Sequence, residues 1–128
     1  MAKSINNQTG FASVALIIFT VMATTMITAA TYALINSTFA NTQAEQSAIA
    51  LDIAESGAEN GLERFSRDIG YSGENLSFNG GIAYITLPDT TTIQSRGVYG
   101  NFSRTIQVKI SDYINTNNLT INSWQEIF

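Results

Sequence analysis

The chain has 128 residues, an apolar fraction of 45% and a net charge of −4, which leaves room for one compact domain and does not by itself separate a soluble from a membrane protein. It contains no Cys and no His, which excludes disulfides and thiolate or imidazole metal sites and removes the usual neutral-pH base, so catalysis is not expected and neither is a cofactor or metal. The densest basic pair is Arg64 and Arg67, too little to hold nucleic-acid phosphates, so direct nucleic-acid binding is not expected either.

Residues 1–10, MAKSINNQTG, are polar and weakly basic, and after Lys3 no charged side chain occurs until Glu45. Residues 11–35 form an apolar run, FASVALIIFTVMATTMITAATYALI, without charge, Gly or Pro. A bilayer core needs about 20 such residues in a helix. Thr20, Thr24, Thr25, Thr28 and Thr31 lower its hydropathy, but a helical threonine hydroxyl can bond back to the preceding turn. A cleaved secretory signal would have a shorter apolar core, and the one small-residue site, Thr38-Phe39-Ala40, lies far beyond the usual distance. Physical chemistry alone reads an uncleaved signal anchor with a cytoplasmic N-terminus.

Helical signals continue beyond the span. Leu51, Ala54, Ala58, Leu62, Phe65 and Ile69 recur at spacings of three and four, which puts them on one face, while Glu55, Glu59 and Glu63 fall on another. Gly70 is the expected stop, with Arg64 and Arg67 in the last turns, where cations suit the negative helix end. From Leu76 the period changes to two. Residues 76–78 and 82–87 around Asn79-Gly80-Gly81, and residues 93–99 and 102–110 around Gly100-Asn101, read as two hairpins. In the last strand Phe102, Ile106, Val108 and Ile110 alternate with polar residues, as in a half-buried antiparallel strand. The Asn- and Thr-rich tail from Asn115, with Leu119, Ile121 and Trp124 as anchors, adds a short strand or stays mobile. The expected fold is α+β: a long N-terminal helix packed through its second half on a small antiparallel sheet of about four strands.

The order of polar leader, Gly10, Phe11 and long apolar helix resembles the start of type IV pilins and pseudopilins. Ala54-Glu55-Ser56-Gly57-Ala58-Glu59 with Leu62, Ser95-Arg96-Gly97-Val98-Tyr99-Gly100 leading to Arg104, and Trp124 near the end are similar to segments of minor pilins. The resemblance implies a leader over residues 1–10, cleavage by a prepilin peptidase between Gly10 and Phe11, and N-methylation of Phe11. It also implies a membrane and filament-core half over residues 11–35 and an extracytoplasmic head over residues 36–128. Its implied partners are membrane lipid before assembly, an inner-membrane assembly platform and other pilin or pseudopilin subunits, and its implied final place is a surface pilus or pseudopilus. Pilins that form the bulk of a filament usually carry Glu four residues after the cleavage point, and Ala15 stands there. The resemblance therefore implies a minor, tip-type subunit. The competing reading is a single-span anchored protein presenting a small extracytoplasmic binding domain.

Other features have plainer readings. Glu55, Glu59 and Glu63 are expected to be a solvated face, with Glu63 and Arg67 paired at i, i+4. Gly57 and Gly61 are expected to permit close packing on the sheet, since Gly in a helix costs about 1 kcal/mol relative to Ala. Tyr71, Tyr84, Tyr99 and Tyr113 are expected to be packing residues, and Trp124 a core plug at the end of the sheet. Asp89 and Asp112 show no calcium-loop spacing.

Overall fold

A computed structural model describes residues 6–111 and 119–128, with side chains from residue 10 onward. One helix, α1 (Asn6–Arg67), is followed by β1 (Gly73–Phe78), β2 (Gly81–Asp89), β3 (Thr92–Tyr99), β4 (Phe102–Ile110) and β5 (Ile121–Ile127). The chain divides into two units, the first ending at Asn41 and the second running from Thr42 to Phe128. The fold is α+β, with five strands where about four are expected.

In the second unit every strand pairs antiparallel with the next, in the order β1-β2-β3-β4-β5. Turn chemistry fixes the hairpins. Asn79 (φ 51°) and Gly80 (φ 78°) join β1 to β2, and two successive positive φ angles are what a type I′ turn requires. Gly100 (φ 56°) supplies the first central position between β3 and β4, as a II′ turn demands. Between β2 and β3 the Asp89 carboxylate accepts hydrogen bonds from the Thr91 N–H and hydroxyl, both at 2.8 Å, which holds that carboxyl below the usual range.

The fifth strand comes from the tail. Ile121 lies opposite Ile110 and Ile127 opposite Thr105, with a register shift between Lys109 and Ile110, and Leu119 packs against the core. Pairing with the open edge of β4 explains why a polar segment folds as a strand, since its backbone groups find partners there. Trp124 is not a core plug: it lies opposite Val108 on the edge strand and is 38% exposed. Tyr113 and Asp112 lie outside the described residues, as does the tail from Asn115 up to Asn118.

The helix face against the sheet differs in phase from the expected one. Ala50, Ile53, Ala54, Ala58 and Phe65 are buried, and Gly57 and Gly61 with them, whereas Leu51 and Leu62 are half-buried and Ile69 is exposed. Small residues set this phase because they let the backbone approach the sheet. A Cβ on Gly61 would sit 2.8 Å from Ile85 Cγ2, and one on Gly57 would sit 2.7 Å from Ala83 Cβ, so both glycines serve close packing. From the sheet, Ala83, Ile85, Ile93, Ser95, Ile106, Val108 and Ile110 complete the core, each large apolar side chain contributing about 1.5–3 kcal/mol by burial.

Helix α1 ends at Arg67, short of Gly70. The Asp68 carboxylate accepts the Gly70 N–H at 2.9 Å, and the Tyr71 N–H donates to the Asp68 carbonyl at 3.1 Å, so an aspartate turns the chain before the glycine is reached. At its other end the described part of α1 already includes Asn6 to Gly10, ahead of the expected Phe11, because nothing in Asn6-Asn7-Gln8-Thr9 breaks a helix.

Candidate functional site

Within the first unit the apolar side chains from Phe11 to Phe39 stand exposed: Phe11 at 79%, Leu16 at 64% and Ile27 at 65%, with Tyr32 and Leu34 similar. The segment is long and apolar enough to cross a membrane, and none of its most apolar stretch is buried. Exposure of a continuous apolar face this long is unfavourable in water. The threonines are accommodated locally: Thr20 donates to the Ile17 carbonyl at 2.9 Å, Thr24 to Val21 at 2.9 Å, Thr25 to Met22 at 2.8 Å, Thr28 to Thr24 at 2.8 Å and Thr31 to Ile27 at 2.9 Å. All five threonine hydroxyl protons are satisfied within the helix, so none of these threonines presents an unpaired donor to an apolar environment.

Gly10, Phe11 and Ala15 are all helical and exposed. A Cβ on Gly10 would meet nothing within 4 Å, so no packing demand requires a glycine there. Ala15 follows Phe11 by four residues, which places the two on the same helix face one turn apart.

In the second unit the polar groups collect at the end of α1. Glu74, on β1, accepts from Asn60 Nδ2 at 3.0 Å and from the Tyr71 hydroxyl at 3.2 Å, and pairs with Arg64 Nε at 2.9 Å. Sequence reasoning missed this clasp, because nothing local marks a glutamate as the partner of side chains ten and fourteen residues earlier. Glu63 pairs with Arg67 at 2.5 Å as its spacing implies, while Glu55 and Glu59 remain on the solvated face. On β4 and β5, Arg104 pairs with Glu126, with Nη2 3.1 Å from Oε2, and its guanidinium lies 5.7 Å from the centre of the Phe128 ring. Tyr71 packs against the core and Tyr84 is 39% exposed on the sheet.

Burial, then the neighbouring Glu74 carboxylate, raises Tyr71 from 10.0 to about 12. In the unfolded chain this phenol ionises near its ordinary value, so the Tyr71 contribution to stability is complete below pH 10 and declines as pH rises toward 12. The expected result is a loss of denaturant resistance over that interval which Tyr71→Phe removes. An unchanged alkaline slope in that variant would refute the assignment.

Compared with known proteins, the chain matches no family model, no curated protein and no solved structure.

Proposed function

We propose that the chain is a structural, non-catalytic subunit of a type IV pilus-like filament, held in the inner membrane by its N-terminal helix before assembly and of the minor, tip-type class. The observation that carries this reading is a single helix that leaves an apolar stretch wholly unburied and then buries Ala50, Ile53, Ala54, Ala58 and Phe65 on a sheet. Such a helix serves first as an anchor in lipid and then as packing surface against sister helices. The satisfied threonine hydroxyls suit both surroundings. In the same reading Gly10-Phe11 is the prepilin peptidase site, Phe11 is the methylated new N-terminus, and the assembly platform and other pilin or pseudopilin subunits are the partners.

Mass spectrometry of the N-terminus, on protein purified from cells that hold a prepilin peptidase, tests it. A chain beginning at methylated Phe11 is expected, and Gly10→Leu should leave the leader attached while the folded head is unchanged, since a side chain at position 10 meets nothing. A chain that keeps Met1 would replace the filament reading with that of an anchored binding domain, and one beginning near Asn41 would point to a secreted domain.

A further inference from the structure

Charge is segregated between the two sides of the second unit. The outward sheet face is built from cross-strand rows, and one of them runs Asn75, Tyr84, Arg96, Thr105, Ile127, each residue directly opposite the next. Tyr84, Arg96, Thr105 and Ile127 of this row, with Thr86, Gln94 and Phe128, line a shallow groove. Arg64, Arg67 and Arg104 all have carboxylate partners. Arg96 and Lys109, exposed on the outward face, have none among the described residues. That face carries no strand carboxylate among them: Glu74 and Glu126 lie opposite Ile85 and Ile106, on the helix side, and Asp89 is tied to Thr91 in the turn.

On the other side, Glu45, Asp52, Glu55 and Glu59 are exposed on α1 and, at 3.6 residues per turn, fall within an arc of about 80°. They lie away from the buried face formed by Ala50, Ala54, Gly57 and Gly61, and none has a cationic partner among the described residues. Among the described residues, the helix face thus carries four unpaired acids beside the Glu63–Arg67 pair, and the opposite sheet face carries two unpaired cations and no strand carboxylate.

We infer that the outward sheet face around Arg96 is an interaction surface whose occupant is the acidic helix face of a second copy of this chain. Two copies placed side by side by translation bring Asp52, Glu55 and Glu59 of one onto Arg96, Tyr84 and Thr105 of the other, with the helical segments of residues 42–67 parallel. The contact is heterologous, so a pair of copies keeps one free surface of each sign. It is also screened, because the Debye length at physiological salt is about 8 Å. The inference is independent of how the N-terminus is processed.

The absence of native Cys makes the test clean. The full chain, purified in zwitterionic detergent, is prepared as Ala48→Cys, which marks the acidic helix face, and as Thr105→Cys, which marks the groove. A short bismaleimide should join the two variants when they are mixed, and should join neither to itself to the same extent. Arg96→Glu in the Thr105→Cys chain should lower the mixed product by roughly threefold, the scale of an exposed charge pair, and Glu55→Arg in the Ala48→Cys chain should restore it. Recovery by the second reversal separates lost attraction from misfolding. Equal yields of all three pairings would show random encounter within the micelle and overturn the proposal. So would no product, or a mixed product indifferent to Arg96→Glu.

Discussion

Gly97→Ala should destabilise the head by about 3 kcal/mol or more, the upper range for forcing an atom into a packed interface. A Cβ at this position would sit 2.1 Å from the Ala50 carbonyl oxygen, 2.5 Å from the Ala54 nitrogen and 3.0 Å from the Ala54 Cα. All three are backbone atoms of a regular helix, so none can turn aside as a side chain would. Relief requires α1 to lift from the sheet, which opens the contacts of Ile53, Ala54 and Ala58 together. Gly57→Ala should cost less, since the closest atom, at 2.3 Å, is the Ser95 hydroxyl, which can rotate, although Ala83 Cβ at 2.7 Å cannot. Gly61→Ala should cost least, because it meets only methyl groups, Ile85 Cγ2 at 2.8 Å and Ile93 Cγ2 at 3.2 Å, and Ala gains about 1 kcal/mol of helix propensity. Chemical denaturation of the three variants checks this order. A Gly97→Ala chain within 1 kcal/mol of the parent would mean that helix and sheet approach less closely than described. Against the ~5–15 kcal/mol that holds a typical domain, the expected loss is large.

The same seam shows what the sequence conveys and what it conceals. Hairpin turns are legible because their chemistry is local: Asn79-Gly80 and Gly100 announce positive φ angles that few other residues adopt. The helix face was legible only to within part of a turn. Hydrophobicity selects Leu51, Leu62 and Ile69, yet close approach selects Ala50, Gly57 and Gly61, and a glycine that packs looks the same in sequence as one that breaks. Ile53 was missed for the same reason. Trp124 was misplaced because size implies burial, whereas its position on an edge strand leaves it 38% exposed. The apolar segment of the candidate site was fully legible, since length and composition define it. Glu74 was not, because its role depends on a chain reversal that brings β1 back to the end of α1.

Ala15 carries the other large expected effect, in filament composition. In the filament reading, cleavage before Phe11 creates an ammonium inside a core of packed apolar helices, where an unpaired charge costs several kcal/mol. A carboxylate one turn along the helix of a neighbouring subunit would offset it, and Ala15 supplies none. The nearest downstream acid is Glu45, about 50 Å from Phe11 along a helix rising 1.5 Å per residue, and the intervening hydroxyls of Thr20, Thr24, Thr25, Thr28 and Thr31 are already committed to their own backbone. The penalty recurs with every internal copy, whereas at an end of the filament it arises at most once. The chain is therefore expected to be a small minority of sheared filament mass, located near one end, as quantitative proteomics and end-specific labelling would measure. Its appearance as the dominant subunit would defeat the tip assignment and require another contact to neutralise Phe11. Ala15→Glu makes the complementary test. Position 15 is exposed on the helix and Glu is a good helix former, so the substitution keeps the helix while adding the missing countercharge. The variant is expected to enter the shaft or to disturb initiation, and no change in either would show that position 15 does not govern placement.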